Sequence, residues 1–150
     1  MTRIKDWKVE DLSNEQKEIH DVIVNGPRGH VVGPLRIWLN NPGLAKSAQT
    51  VGAYARYGTS LSKAHSELAI CTTGRVWSSA FEWENHAPLA IEGGIDPEHI
   101  MTISNGKRPI FNNIEEQLVF DFAAEANILK KVTDQTFNSL IESLGQTAAI

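Results

Sequence analysis

Apolar residues recur at helical spacing along almost the whole chain, and no segment shows a sustained alternation of apolar and polar positions. A strand with one buried face needs that period of two, and a helix needs apolar positions three and four apart, so the pattern predicts helix, loop, helix throughout. Ser13 with Gln16 reads as a capping box ahead of a helix over Glu15 to Val24, with Ile19, Val22 and Ile23 as its buried stripe and Asn25, Gly26 and Pro27 as its stop. A glycine-bearing loop follows, then a short helix over Pro34 to Leu39, then a helix whose face is marked by Leu44, Ala48, Val51 and Ala55 and which closes at Gly58.

Ser62 caps the next helix, expected to run to about Trp77, and Ser79 to Glu92 follows as a separate one. Asp96 with Pro97 starts another that stops at Asn105 and Gly106. Asn113 with Glu116 opens a helix carrying Leu118, Phe122 and Ala126, and Thr133 opens one carrying Phe137, Leu140 and Leu144. The expectation is an all-α bundle of about seven or eight helices. At 150 residues and 41% hydrophobic, one core and a single domain over 1–150 are expected.

Charge and cysteine content narrow the function. The formal net charge is −4, from 18 acidic and 14 basic residues with no block of one sign, which argues against nucleic acid, whose binders gather Lys and Arg on one face. The first twelve residues lack the apolar run of a signal peptide, and no later stretch has the length to span a membrane. A single cysteine, Cys71, excludes an intrachain disulfide, a CxxC redox couple and a multi-cysteine zinc site, and fits a reducing cytoplasm. Its own expected role is a small buried core residue.

One group of ionisable residues stands in apolar surroundings: Glu67 in Ser-Glu-Leu-Ala-Ile-Cys, then Ser79, Glu82 and His86. Positions 79, 82 and 86 share a helical face, so Glu82 and His86 are in reach of each other. A carboxylate beside an imidazole makes an acid and base pair, and a second carboxylate brought near would move protons with it. The same spacings also fit a capping box at Ser79 and Glu82 and a plain surface pair at Glu82 and His86. His65, two residues from Glu67, faces away from it, His20 and His99 are expected at the surface, and no metal site is expected.

From about Arg28 to Leu144 the chain resembles the carboxymuconolactone decarboxylase and alkylhydroperoxidase D superfamily. The matching stretches are Gly26-Pro-Arg-Gly, Gly33-Pro, Asn41-Pro-Gly-Leu-Ala, Ser66-Glu-Leu-Ala-Ile, Phe81-Glu-Trp-Glu-Asn-His-Ala-Pro-Leu-Ala and Glu92-Gly-Gly-Ile. The peroxidase branch carries a catalytic Glu, then CxxC, then His. Those places fall here on Glu67, Ser79, Glu82 and His86, with both cysteines replaced, so the decarboxylase-like branch is the better match.

The resemblance implies a cofactor-independent lyase of the decarboxylase kind acting on a small carbonyl or lactone carboxylic acid. His86, Glu82 and Glu67 would be catalytic. On the chemistry of the residues themselves, Arg28 in the Gly-Pro-Arg-Gly loop can bind a substrate carboxylate or fix its loop, with Arg56 and Arg75 in reserve; Ser79 can donate to a developing enolate oxygen, and Trp83 can wall the pocket. The resemblance also implies a homo-oligomer, a trimer or hexamer, and a last apolar helix that the chain stops short of at Ala148-Ala-Ile150. Trp77 and Trp83 are expected mainly in the core. The alternatives are a non-catalytic helical binding module and a peroxidase-related protein working through Cys71 with an external thiol.

Overall fold

The computed structural model describes residues 3–150; Met1 and Thr2, the first of the twelve residues in which no signal peptide is expected, lie outside the described residues. Among the described residues there are eight α-helices and no strand, the all-α architecture that the periodicity predicts. No helix among the described residues is long and apolar enough to cross a membrane. The chain forms two compact units that meet in sequence at Gly58 and Thr59.

The first unit holds a short 3-10 turn, Val9–Asp11, then α1 (Asn14–Val24), α2 (Pro34–Trp38) and α3 (Pro42–Ala53), and closes with a π-helical turn, Tyr54–Gly58. The capping box at α1 is formed: Gln16 N–H donates to Ser13 Oγ (3.3 Å) and Ser13 N–H to Gln16 Oε1 (2.9 Å). Gln16 also spends its side-chain amide on the Leu39 carbonyl (2.8 Å), tying α1 to the end of α2. The core is Ile19, Ile23, Leu35, Leu39 and Ala45.

Parts of the two expected stripes lie outside the core. Val22 is exposed, because the buried face of α1 is narrow and centres on Ile19 and Ile23. On α3 the buried residues are Ala45 and Gln49, while Leu44 and Val51 face outward, as does Ala55 in the turn that follows. Small residues let α3 lie close to its neighbours, and the bulkier apolar stripe remains outside. The turn after α3 is widened to π form, with the Tyr54 ring folded over Gly58, where a Cβ would stand 2.7 Å from that ring.

The second unit contains α4 (Lys63–Val76), α5 (Ala80–Glu92), α6 (Pro97–Ser104), α7 (Ile114–Ile128) and α8 (Asp134–Leu144), and ends in a 3-10 turn, Gln146–Ala149. The caps are those the sequence announces: Ser62, Ser79, Asp96, Asn113 and Thr133 each accept a hydrogen bond from a first-turn N–H. The core gathers Leu68 and Cys71 of α4, Ala87 and Ala90 of α5, Ile95, Ile100 and Ile103, and Val119 and Phe120 of α7. Cys71 is fully buried within it, as a small core residue.

Several side chains depart from expectation. Trp77 is 65% exposed, with its indole N–H bonded to Asn127 (2.8 Å) and Lys130 over its ring, so only Trp83 packs against the core. Ala126 faces outward. His20 and His99 are half-buried. His99 donates through Nε2 to the Ile110 carbonyl (3.1 Å), turns Nδ1 toward Glu116 (3.4 Å) and stands edge-on to Phe111.

Candidate functional site

The site in the second unit is built on the α4–α5 hairpin. Ser62 starts α4 by accepting from His65 N–H (3.1 Å), and one turn later Glu67 projects from the buried face that also carries Leu68 and Cys71. The chain then reverses in three residues, Trp77 to Ser79, with Ser78 in the left-handed region (φ 53°) and Ser79 capping α5. Gly74 permits close approach of the helices, since a Cβ there would stand 3.1 Å from Glu82 Cβ. The hairpin thereby brings α5 back along α4, and Glu82 and His86, four residues apart, face Glu67.

The result is a three-membered chain of side chains. His86 Nδ1 lies 2.5 Å from Glu67 Oε2, and His86 Nε2 lies 3.2 Å from Glu82 Oε2. Glu67 and His86 are buried, while the Glu82 side chain is 35% exposed. The three therefore form a line from the interior to the surface, with Glu82 at the outer end. The structure brings together all three catalytic candidates named from the sequence.

The hydrogen-bond chemistry of this line is specific. An ionised carboxylate only accepts, and a neutral imidazole has one N–H to give, so two carboxylates cannot both receive a hydrogen bond from a neutral ring. Here Nδ1 makes the hydrogen bond, to Glu67, while Nε2 and the Glu82 carboxylate stand at ion-pair distance. The arrangement sets an imidazole between two carboxylates, where a proton can pass from one to the next, with the inner half of the line buried.

Cys71, one turn after Glu67 on α4, is unsuited to thiolate chemistry. Burial, and then the nearby Glu67 charge, push its thiol up to about 12 from an ordinary value near 9.0.

The substrate-binding candidates are distributed differently. Ser79 and Trp83 line a cavity of about 230 Å³ at the start of α5, shared with Arg75 and Ser78, and none of the three acid–base residues forms its wall. Arg28 belongs to the first unit, where Nη2 rests against α3 at Gly52, 2.8 Å from the place a Cβ would take, and its buried Nε has no hydrogen-bond partner among the described residues. Ser78 was not singled out from the sequence. Its only signal is position, as the one residue between the end of α4 with its cap at Trp77 and the Ser79 cap of α5.

Among the described residues, no group of three or more His, Cys, Asp or Glu side chains is arranged to hold a metal ion. In the line of three, each imidazole nitrogen is turned to its own carboxylate, so the donors do not converge on one point. Compared with models of protein families, with curated proteins and with solved structures, the chain finds no match.

Proposed function

We propose that this chain is an enzyme of the carboxymuconolactone decarboxylase kind, which moves a proton at a carbon of a small carbonyl or lactone carboxylic acid without a cofactor. Decarboxylation, isomerisation or ring opening would each use such a step. The observation that carries the proposal is the His86 imidazole held between a buried and a half-exposed carboxylate. Surface ion pairs do not need a third, buried member, and a buried carboxylate against an imidazole is costly unless it does something for the protein.

The geometry supports a division of roles within this reading. Both nitrogens of His86 are engaged, so His86 serves as the relay, and Glu82, at the outer end, is the group that exchanges a proton with substrate. Glu67 orients the ring and takes up the charge left when the proton moves outward. This differs from a scheme in which His86 meets the substrate and Glu82 tunes it. Assembly into a homo-oligomer belongs to the proposal, supported by the outward apolar stripe Leu44, Val51 and Tyr54, and so does a cytoplasmic setting, which a lone buried cysteine suits.

The test follows ultraviolet absorbance or carbon dioxide release from a panel of unsaturated lactone and keto acids, comparing wild type with His86→Gln and Glu82→Gln. On an accepted substrate, both variants should lose about 10²- to 10⁴-fold in kcat. Equal rates in the three proteins would remove the line of three from the mechanism.

A further inference from the structure

The cavity beside the start of α5 has a feature that the acid–base line does not use. Arg75, in the last turn of α4, is half-buried and fixed: its Nε donates to the Ser104 carbonyl (2.8 Å). Gly106, at φ 71°, leaves room for the guanidinium, and a Cβ there would stand 3.1 Å from Nη2. The two Nη groups make no hydrogen bond or ion pair with any described residue, although the side chain lines the cavity. A guanidinium held still with its outer edge unengaged is preorganised to receive a planar anion through two parallel N–H bonds.

The other walls select among anions. Ser78 and Ser79 bring hydroxyl groups, Trp83 brings an aromatic ring, Ala80 and Gly74 bring no polar side chain, and Glu84 adds a negative charge. The carboxylate of Glu84 opposes a second negative charge on the ligand, which disfavours phosphate and dicarboxylates against a monoanion. A volume of about 230 Å³ is below the usual range for larger ligands and suits a few carbon atoms against the Trp83 ring.

We infer that this cavity binds the carboxylate of a small monocarboxylic acid, with Arg75 as its anchor. The inference rests on the proposed function only for the use of the site as a substrate seat. There it assigns to Arg75, in the same unit as Glu82, the anchoring role that the sequence reading gives first to Arg28 and holds Arg75 in reserve for. Gly74 links the two regions, since it lines the cavity and also lies against the stem of Glu82.

Binding is measured by calorimetry and by the fluorescence of Trp83, isolated by comparison with Trp83→Phe. The probes are crotonate, its neutral isostere crotonamide, and inorganic phosphate. Crotonate should bind one to one at millimolar concentration, and crotonamide and phosphate at least about tenfold more weakly. Arg75→Gln should lose at least about tenfold in crotonate affinity, and Arg75→Lys should recover part of it. Because Arg75 also holds Ser104, a second variant leaves it untouched: Ala80→Leu should fill the cavity and abolish binding with the fold intact by circular dichroism.

Crotonamide binding as tightly as crotonate, or full affinity in both Arg75→Gln and Ala80→Leu, would overturn the inference, as would the absence of saturable binding in wild type. His86→Gln should bind crotonate like wild type. Loss of turnover in that variant with binding retained, or loss of binding in Ala80→Leu with the acid–base line retained, tells the failure of one proposal from the failure of the other.

Discussion

The Nδ1 atom of His86 lies 2.5 Å from the Oε2 atom of Glu67, in the interior of the second unit. A contact between two buried ionisable groups behaves differently from the i,i+4 pair that the same histidine makes with Glu82. Breaking it is expensive, whereas a pair at the surface contributes a few tenths of a kcal/mol. His86→Gln, which keeps size and polarity but no basic nitrogen, is therefore expected to lower stability by about 1 to 3 kcal/mol while removing most turnover. Urea unfolding beside the substrate assay checks both, and an unchanged midpoint would contradict the buried contact.

Cys71 should be chemically silent in the folded protein. With its thiol pushed up to about 12, the thiolate fraction at pH 8 is about one in ten thousand, and the side chain is fully buried. Iodoacetamide should label it only after addition of denaturant, and hydroperoxide turnover should be absent. Rapid labelling of native protein, or dithiol-dependent peroxide turnover lost in Cys71→Ser, would contradict this. The same displacement has a sign in stability: the protonated thiol is favoured by folding, so this contribution is full below about pH 9 and is lost as pH rises toward 12.

Glu125 joins α7 to the start of α8 by accepting from Thr133 N–H (2.7 Å) and from the Thr136 hydroxyl (2.6 Å). These bonds, the backbone one first, hold its carboxyl below the usual carboxylate range against a smaller opposing effect of burial. A lowered value in the folded state means stability present above the unfolded value and lost as pH falls through the folded one. Glu125→Gln should thus lower Tm at pH 7 by a few degrees, and the difference should shrink as pH falls below the ordinary carboxylate range. A gap of the same size on both sides of that range would show that charge has no part in it.

Gly74 sets the spacing of α4 and α5. Alanine at this position gains about 1 kcal/mol of helix propensity, yet its methyl would stand 3.1 Å from Glu82 Cβ, so α5 has to give way. Gly74→Ala is expected to change stability little and to lower kcat clearly, by moving Glu82. Retention of full activity would mean that the hairpin absorbs the displacement without moving the line of three.

The outward stripe on the first unit, with Leu44, Val51 and Tyr54 all about half exposed or more, predicts assembly. Sedimentation should find a species larger than a monomer, and Val51→Glu should shift it toward monomer. A monomer at high concentration in wild type would refute this.

Much of the fold was legible because helix caps are local chemistry. Ser13, Ser62, Asp96, Asn113 and Thr133 each carry a hydrogen-bonding side chain three or fewer residues from the N–H they satisfy, and a short window of sequence contains both partners. Burial was less legible. Val22 and Ile23 are adjacent and equally apolar, and Leu44 outweighs Ala45 on any hydrophobic scale, yet Ile23 and Ala45 are the ones inside. Which face turns inward depends on neighbouring helices, and so does the outward turn of Trp77. In the site, the Glu82–His86 spacing speaks for itself, but Glu67 lies 19 residues away and meets His86 only through the hairpin. Which ring nitrogen faces which carboxylate is a matter of rotamer, and no sequence pattern encodes it.

The widened turn from Tyr54 to Gly58 marks where this chain tolerates a change of length. A π turn is an α-helix that has taken in one residue, so deleting one there would restore regular register and leave the helix before it undisturbed. α5 offers no such latitude, because one residue gained or lost between Glu82 and His86 would turn the carboxylate roughly 100° away from the ring it serves.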